Sequence, residues 1–420
     1  MGKWIYSVIC VSVFFALLLA NPFHAQAGWS SDPTVNVVIS ANPDTFYQDE
    51  NPSMISDGAG GAIIAWWHQY SIYVQRIDAN GNVLWGADGK AISTFGGEEY
   101  YPQLASDGAG GAIVTWHENS DGSGGIYAQR VDSSGNALWS PGGKNICNAA
   151  GNHQYPRIVS DAVGGAIVTW QDSRNGGSNY DIYAQRVDPF GVELWPVNGR
   201  AVCTAAGHQY YPQIISDGGS GAIITWQDGR AWWDIYVQSI DANGNLKWTA
   251  DGLPITADPN SQHAAPQIAS DGASGAIISW HQDVGKGNGW NVYAQRIDMN
   301  GIAKWAPGGV AISSGINHQR DPQIVSDGSG GAVISWWDIN SSSGVSNGVF
   351  AQRINANGIA QWSVNGVTVA TPAQIQTDYY SPQIVSDGSH GAVITWADQR
   401  NSTDRNIYAQ RIDGTTGVAL

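Results

Sequence analysis

"SDAVGGAIVTWQDSRNGGSNYDIYAQRVDPFGVELW", residues 160 to 195, carries the pattern that decides the fold. An aspartate and glycine turn leads into "GAIVTW", a polar loop follows, and "DIYAQRVD" resumes before a second turn and "LW". "GAIVTW" is β-branched, ends in an aromatic residue, is apolar at nearly every position and is too short for a helix, which marks a strand buried on both faces. The stretch recurs from Ser56, Ser106, Ser160, Ser216, Ser270, Ser326 and Ser386, seven copies spaced 50 to 60 residues apart. A period of that length belongs to a repeat architecture.

Each repeat reads as a four-stranded antiparallel meander. Strand A is "PQIV", strand B "GAIVTW", strand C "IYAQRVD", and strand D runs from "LW" into the next "AI". Asn-Gly in "DANGN" (Asp78 to Asn82) is a strong hairpin signal between C and D. Sheets buried on both faces must stack, and seven of them around an axis make an all-β, seven-bladed β-propeller. The last repeat stops at "GTTGVAL" without its strand D tryptophan, whereas the segment after residue 27 begins with Gly28 and Trp29. The N-terminal strand is therefore expected to complete the last blade and close the ring. Fourteen of the 20 tryptophans are then framework, seven in strand B and seven at the start of strand D.

Residues 1–27 combine Lys3, an apolar run from Val8 to Ala20 and "AQA" at 25–27, the pattern of a secretory signal peptide. Residues 28–420 then form a single propeller domain, secreted or periplasmic and read as a monomer. No later apolar run is long enough to span a membrane. Cys147 and Cys203 occupy the same slot in consecutive repeats. An oxidising compartment allows a disulfide, but equivalent slots in neighbouring blades favour two buried thiols over a bond. A formal charge of −16 with only 19 lysines and arginines argues against a nucleic-acid or anionic-membrane partner. No cofactor is indicated, although the acidic composition is compatible with calcium.

The "D-x-N-G-x-x-x-W" turns (Asp78 to Trp85, Asp241 to Trp248) and the "W-x-D-x-R" strand ends (Trp170 to Arg174, Trp226 to Arg230) resemble the sialidase-like, Asp-box (BNR) propellers and related secreted bacterial propellers. The resemblance covers nearly the whole chain after residue 27 and implies a propeller scaffold. Its catalytic members are glycan hydrolases.

Topology sorts the residues by face. The recurring "SDGAGG" and "DANG" turns share one face, where glycine supplies positive φ and aspartate binds local backbone. The strand C arginines, among them Arg76, Arg130, Arg186, Arg296, Arg353 and Arg411, read as paired framework groups; blade 4 has Ser239 instead. The opposite face is variable. Its crossovers bring Glu98, Glu99, His153, His208, His263, His318 and Asp378 to the mouth of the axis, either as a metal or acid–base site or as a solvated rim. Strand B ends add His68, Glu118, Asp172, Asp228, Asp283, Asp338 and Asp398, with Arg230 two residues beyond Asp228. Trp232 and Trp233 in the blade 4 B–C loop, and Trp290 in that of blade 5, belong to no repeat slot. Flat exposed rings suit stacking on sugars.

Trp232, Trp233, Trp290, Asp228, Arg230, His208 and His263 are therefore the candidate ligand-binding residues. The near-regular repeats favour a non-catalytic binding module for a glycan or an extracellular or envelope protein. The alternative is a sialidase-like glycoside hydrolase or a polysaccharide lyase, which requires one group of blades to break the symmetry.

Overall fold

The computed structural model describes residues 37–40, 50–93, 98–119, 124–176, 179–256, 261–283, 285, 289–315, 317–340, 346–371, 382–398 and 406–420. They form seven antiparallel sheets whose strands follow chain order. In blade 3, A is His153–Ser160, B is Ala166–Asp172, C is Asp181–Val187 and D is Arg200–Cys203. Blades 1 to 6 are four-stranded, and blade 7 shows Gln383–Ser386, Ala392–Asp398 and Asn406–Ile412. The strand expected from Trp29 to close the ring lies outside the described residues, although residues 38–40 line a cleft with Pro52, Ile64 and Trp66 of blade 1. No described helix is long and apolar enough to cross a membrane.

The core lies between blades. Ile113, Ile126 and Ala128 of blade 2 pack on Ala166, Val168 and Trp170 of blade 3, and the pattern repeats round the ring. Trp116, Trp170, Trp226, Trp280 and Trp336 are fully buried. Each lies against a turn glycine. At Gly199 (φ 92°) a Cβ would stand 2.6 Å from Trp170 Cη2, so a side chain there meets both strain and a collision.

The turn aspartates and strand C arginines form one inter-blade clamp. Asp161 Oδ1 accepts from the Val163 and Gly165 amides, and its Oδ2 accepts from Arg186 at 2.9 Å. Arg186 Nη1 and Trp195 Nε1 both donate to the Ala242 carbonyl of the next blade, at 3.0 and 3.1 Å. The same convergence occurs on Ser133, Pro189, Ala356 and Gly414. Gln185 supports it, taking the Trp195 amide on Oε1 and giving Nε2 to Pro196. Ser239 breaks the clamp at the blade 4–5 junction, and Trp248 Nε1 is left without a partner among the described residues. Cys147 and Cys203 are free, buried thiols.

Candidate active site on the loop face

The innermost A strands run side by side around the axis. In blades 1 to 6 the residue before the strand proline is left-handed: Asn51, Tyr101, Tyr155, Tyr211, Ala265 and Asp321 have φ between 51° and 56°. Non-glycine residues adopt that region rarely, and when they do they gather at functional sites. A bulge in the A–B pairing at each of these prolines breaks the alternation of side chains. Tyr101, Tyr155 and Tyr211, from three successive blades, meet here with ring centroids 5.0 and 5.5 Å apart. Burial, with the neighbouring tyrosines, pushes the Tyr155 hydroxyl up to about 12. That phenol keeps its proton at neutral pH.

Just after the proline the repeats carry glutamine at 103, 213, 267, 323 and 383, but blade 3 carries Arg157. Its Nε reaches Gln213 Oε1 at 3.3 Å and its Nη1 the Pro156 carbonyl at 3.1 Å. No carboxylate pairs with it among the described residues. Partial burial pulls its guanidinium below the usual value, while Tyr155 acts the other way. It is an unspent cation in a protein of net charge −16.

His117 lies on strand B of blade 2 beside Tyr100 (6.3 Å between centroids). Its slot varies round the ring, with Trp67, Gln171, Gln227, His281, Trp337 and Ala397 in the other blades. His117 is buried, and neither ring nitrogen has a partner among the described residues. Burial, reinforced by His153, pushes its pKa down to about 4. The imidazole is therefore neutral, with a free lone pair. Buried polar atoms are normally satisfied, so an orphaned imidazole calls for a functional account.

The expected ring of crossover acids and imidazoles does not converge. His153 lies fully buried with Nδ1 2.9 Å from Asp172 and Nε2 2.8 Å from the Ala149 carbonyl. Burial opposes its charge, but Asp172 and Cys147 override that and push its pKa up to about 10. Cys147, His153 and Asp172 do bring ligand atoms within 4.8 Å of one another. However, Arg174 already stands among them, with Nη2 3.1 Å from Cys147 Sγ and bonded to Asp172. Blade 4 repeats the arrangement as Cys203, Asp228 and Arg230. In both blades the arginine and aspartate cap the end of strand B. Glu99 is buried near Glu118, and burial pushes its pKa up to about 7. Asp378 lies outside the described residues.

The candidate ligand residues divide into three groups. Asp228 is fully buried between Trp226 Nε1 and Arg230, whose guanidinium stacks on Tyr236. The two are paired within the framework, Asp228 out of reach of solvent and Arg230 with 25% of its side chain exposed. His263 is buried, its Nδ1 close to the Trp233 carbonyl (3.1 Å) and Asp234 (3.0 Å), so it too is a support. His208, Trp232 and Trp233 gather at one place: Trp233 stacks on His208 and Tyr210, and Trp232 is 54% exposed. Trp290 stands apart from them, edge-on to His281 and under Arg320 in blades 5 and 6. Sequence reasoning missed Tyr155, Arg157 and His117, although an arginine among glutamines at one repeat slot was a readable signal.

No protein-family model and no curated protein matches the chain. Solved structures do. An ulvan lyase from a new family of polysaccharide lyase, bound to glucuronic acid linked 1-4 to rhamnose 3-sulfate, is similar over 89% of this chain and 96% of its own, with TM-score 0.52 and 11% identity. Polysaccharide lyase Uly1 is similar over 90% and 92%, with TM-score 0.50 and 10% identity. An oligogalacturonate lyase from Vibrio parahaemolyticus is similar over 87% and 91%, with TM-score 0.51 and 9% identity. These likenesses establish the class of fold, a β-propeller shared with glycan-active enzymes. They overturn the expectation of a non-catalytic module, because that expectation rested on the regular blades, and catalytic proteins are built on the same ring.

Proposed function

We propose that this protein is a polysaccharide lyase acting on a uronate-containing glycan, exported by its N-terminal segment to work outside the cytoplasm. The observation that carries this reading is Arg157, a half-buried cation beside Tyr155 with no carboxylate partner among the described residues. Uronate elimination needs a positive group on the sugar carboxylate to acidify the C5 proton, a base to take that proton, and an acid for the leaving oxygen. Arg157 meets the first need. We assign the base to His117, whose ring nitrogens have no partner among the described residues, and Tyr155 retains a proton to give. The C5–H bond breaks, a C4=C5 double bond forms, and the C4–O bond breaks with its electron pair on the oxygen that Tyr155 protonates. Hydrolysis would need two carboxylates facing the sugar, whereas Asp172 and Asp228 are buried on arginines and Asp338 is held by Asn317, Gln319 and Asn347.

The test uses purified protein on uronate polysaccharides, with and without calcium, following the ultraviolet absorbance of the unsaturated product. Arg157→Gln installs the residue of five of the other six blades, blade 1 having Ser53, so the fold should survive. Turnover should fall by about a hundredfold or more. Reducing ends without new absorbance would replace the lyase by a hydrolase, and full activity in the variant would remove Arg157 from the site.

A further inference from the structure

The aromatic mouth does not end at Tyr211. Tyr211 lies 5.8 Å from Tyr210, Tyr210 lies 5.8 Å from Trp233 and 4.9 Å from His208, and Tyr180 flanks Tyr210 at 5.6 Å. Together with Tyr101 and Tyr155 these rings form an unbroken series from the axis out along blade 4, ending beside exposed Trp232. The outer part is held in place. The Tyr210 hydroxyl meets His208 Nδ1 at 2.9 Å, and the Trp233 carbonyl accepts the His263 amide at 2.8 Å. Trp233 lies over Gly229, where a Cβ would come within 2.9 Å of its ring. This is a preorganised surface, which lowers the ordering cost of binding.

We propose that this series is an extended glycan subsite, with Trp232 and Trp233 as its outer platform, and that it makes the enzyme selective for polymer over short fragments. The inference rests on the lyase reading for its cleavage site, but the subsite has its own readout. Sugar faces present C–H groups to aromatic rings, and a chain seated at Arg157 has rings beside it all the way to the rim. The occupant is thus a polymeric acidic glycan that runs across the loop face.

The experiment is affinity electrophoresis of the full chain in gels containing polygalacturonate or a polymer of glucuronic acid and rhamnose 3-sulfate. Wild type is run beside Trp232→Ala, Trp233→Ala and the pair, with thermal unfolding to confirm that each variant is folded. Cleavage of polymer and of trisaccharide is followed in parallel. The expected result is retardation of wild type, lost in the pair, and a loss of kcat/KM about tenfold larger on polymer than on trisaccharide. Equal retardation of wild type and variants, no retardation of wild type in either gel, or equal losses on both substrates would overturn the subsite. Retardation without unsaturated product would keep the subsite and sink the lyase.

Discussion

At the scale of the residue, His117 and His153 show one chemical group used in two ways. His153 gains a carboxylate and stays charged; His117, buried with no carboxylate partner among the described residues and with His153 nearby, stays neutral. An ordinary histidine titrates near 6.5, so between about 6.5 and about 4 the unfolded chain binds a proton that folded His117 refuses. Stability contributed at this site is present above that window and declines as pH falls through it, by roughly 3 kcal/mol in all. His117→Gln should therefore flatten the acid limb of a Tm-against-pH profile between those values. It should also abolish turnover at neutral pH, where its fold is intact. A variant with an unchanged acid limb would mean that His117 is hydrated and near its ordinary pKa. One that still turns over substrate at the wild-type rate would show that it is not the base.

At the scale of the element, the clamp from strand C to the next blade is the unit that repeats. It joins a bidentate, low-exposure arginine–aspartate pair to an indole on one carbonyl. Blade 4 lacks the arginine, so the junction of blades 4 and 5 is the weakest seam of this kind among those described. Ser239→Arg should pair with Asp217 and restore the clamp, raising Tm by a few degrees, on the order of 1 kcal/mol. Hydrogen exchange at Asp234–Ile240, the strand that carries Ser239, should slow in the variant. A drop in Tm would indicate that the space around buried Ser239 cannot take the side chain.

At the scale of the whole molecule, the net charge of −16 opposes a polyanionic substrate. Arg157, the cation proposed to hold the uronate, is half-buried, and partly buried charges are screened less than exposed ones. Raising ionic strength from about 0.02 to about 0.3 M should then speed encounter more than it weakens the Arg157 contact, so kcat/KM on a polyuronate should rise several-fold. A fall with salt would mean that a local basic surface, rather than the overall field, governs approach.

What the sequence determined by itself was the scaffold: seven copies, four strands each, and turns whose aspartates and glycines serve local backbone. Those features depend on residues a few positions apart, so periodicity and turn chemistry are enough to read them. It also marked Trp232 and Trp233 as residues outside every repeat slot. The site was decided by the tertiary structure. Tyr101, Tyr155 and Tyr211 are more than 50 residues apart from one to the next and meet only because the A strands close around an axis. Strand alternation could not place them, because the left-handed residue before each proline shifts the register there. Nor could composition show that Asp172 and Asp228 are occupied by arginines while Arg157 has no acid partner among the described residues. Whether a charge is paired depends on which neighbours the fold brings within a few ångströms, and that is a property of the closed ring.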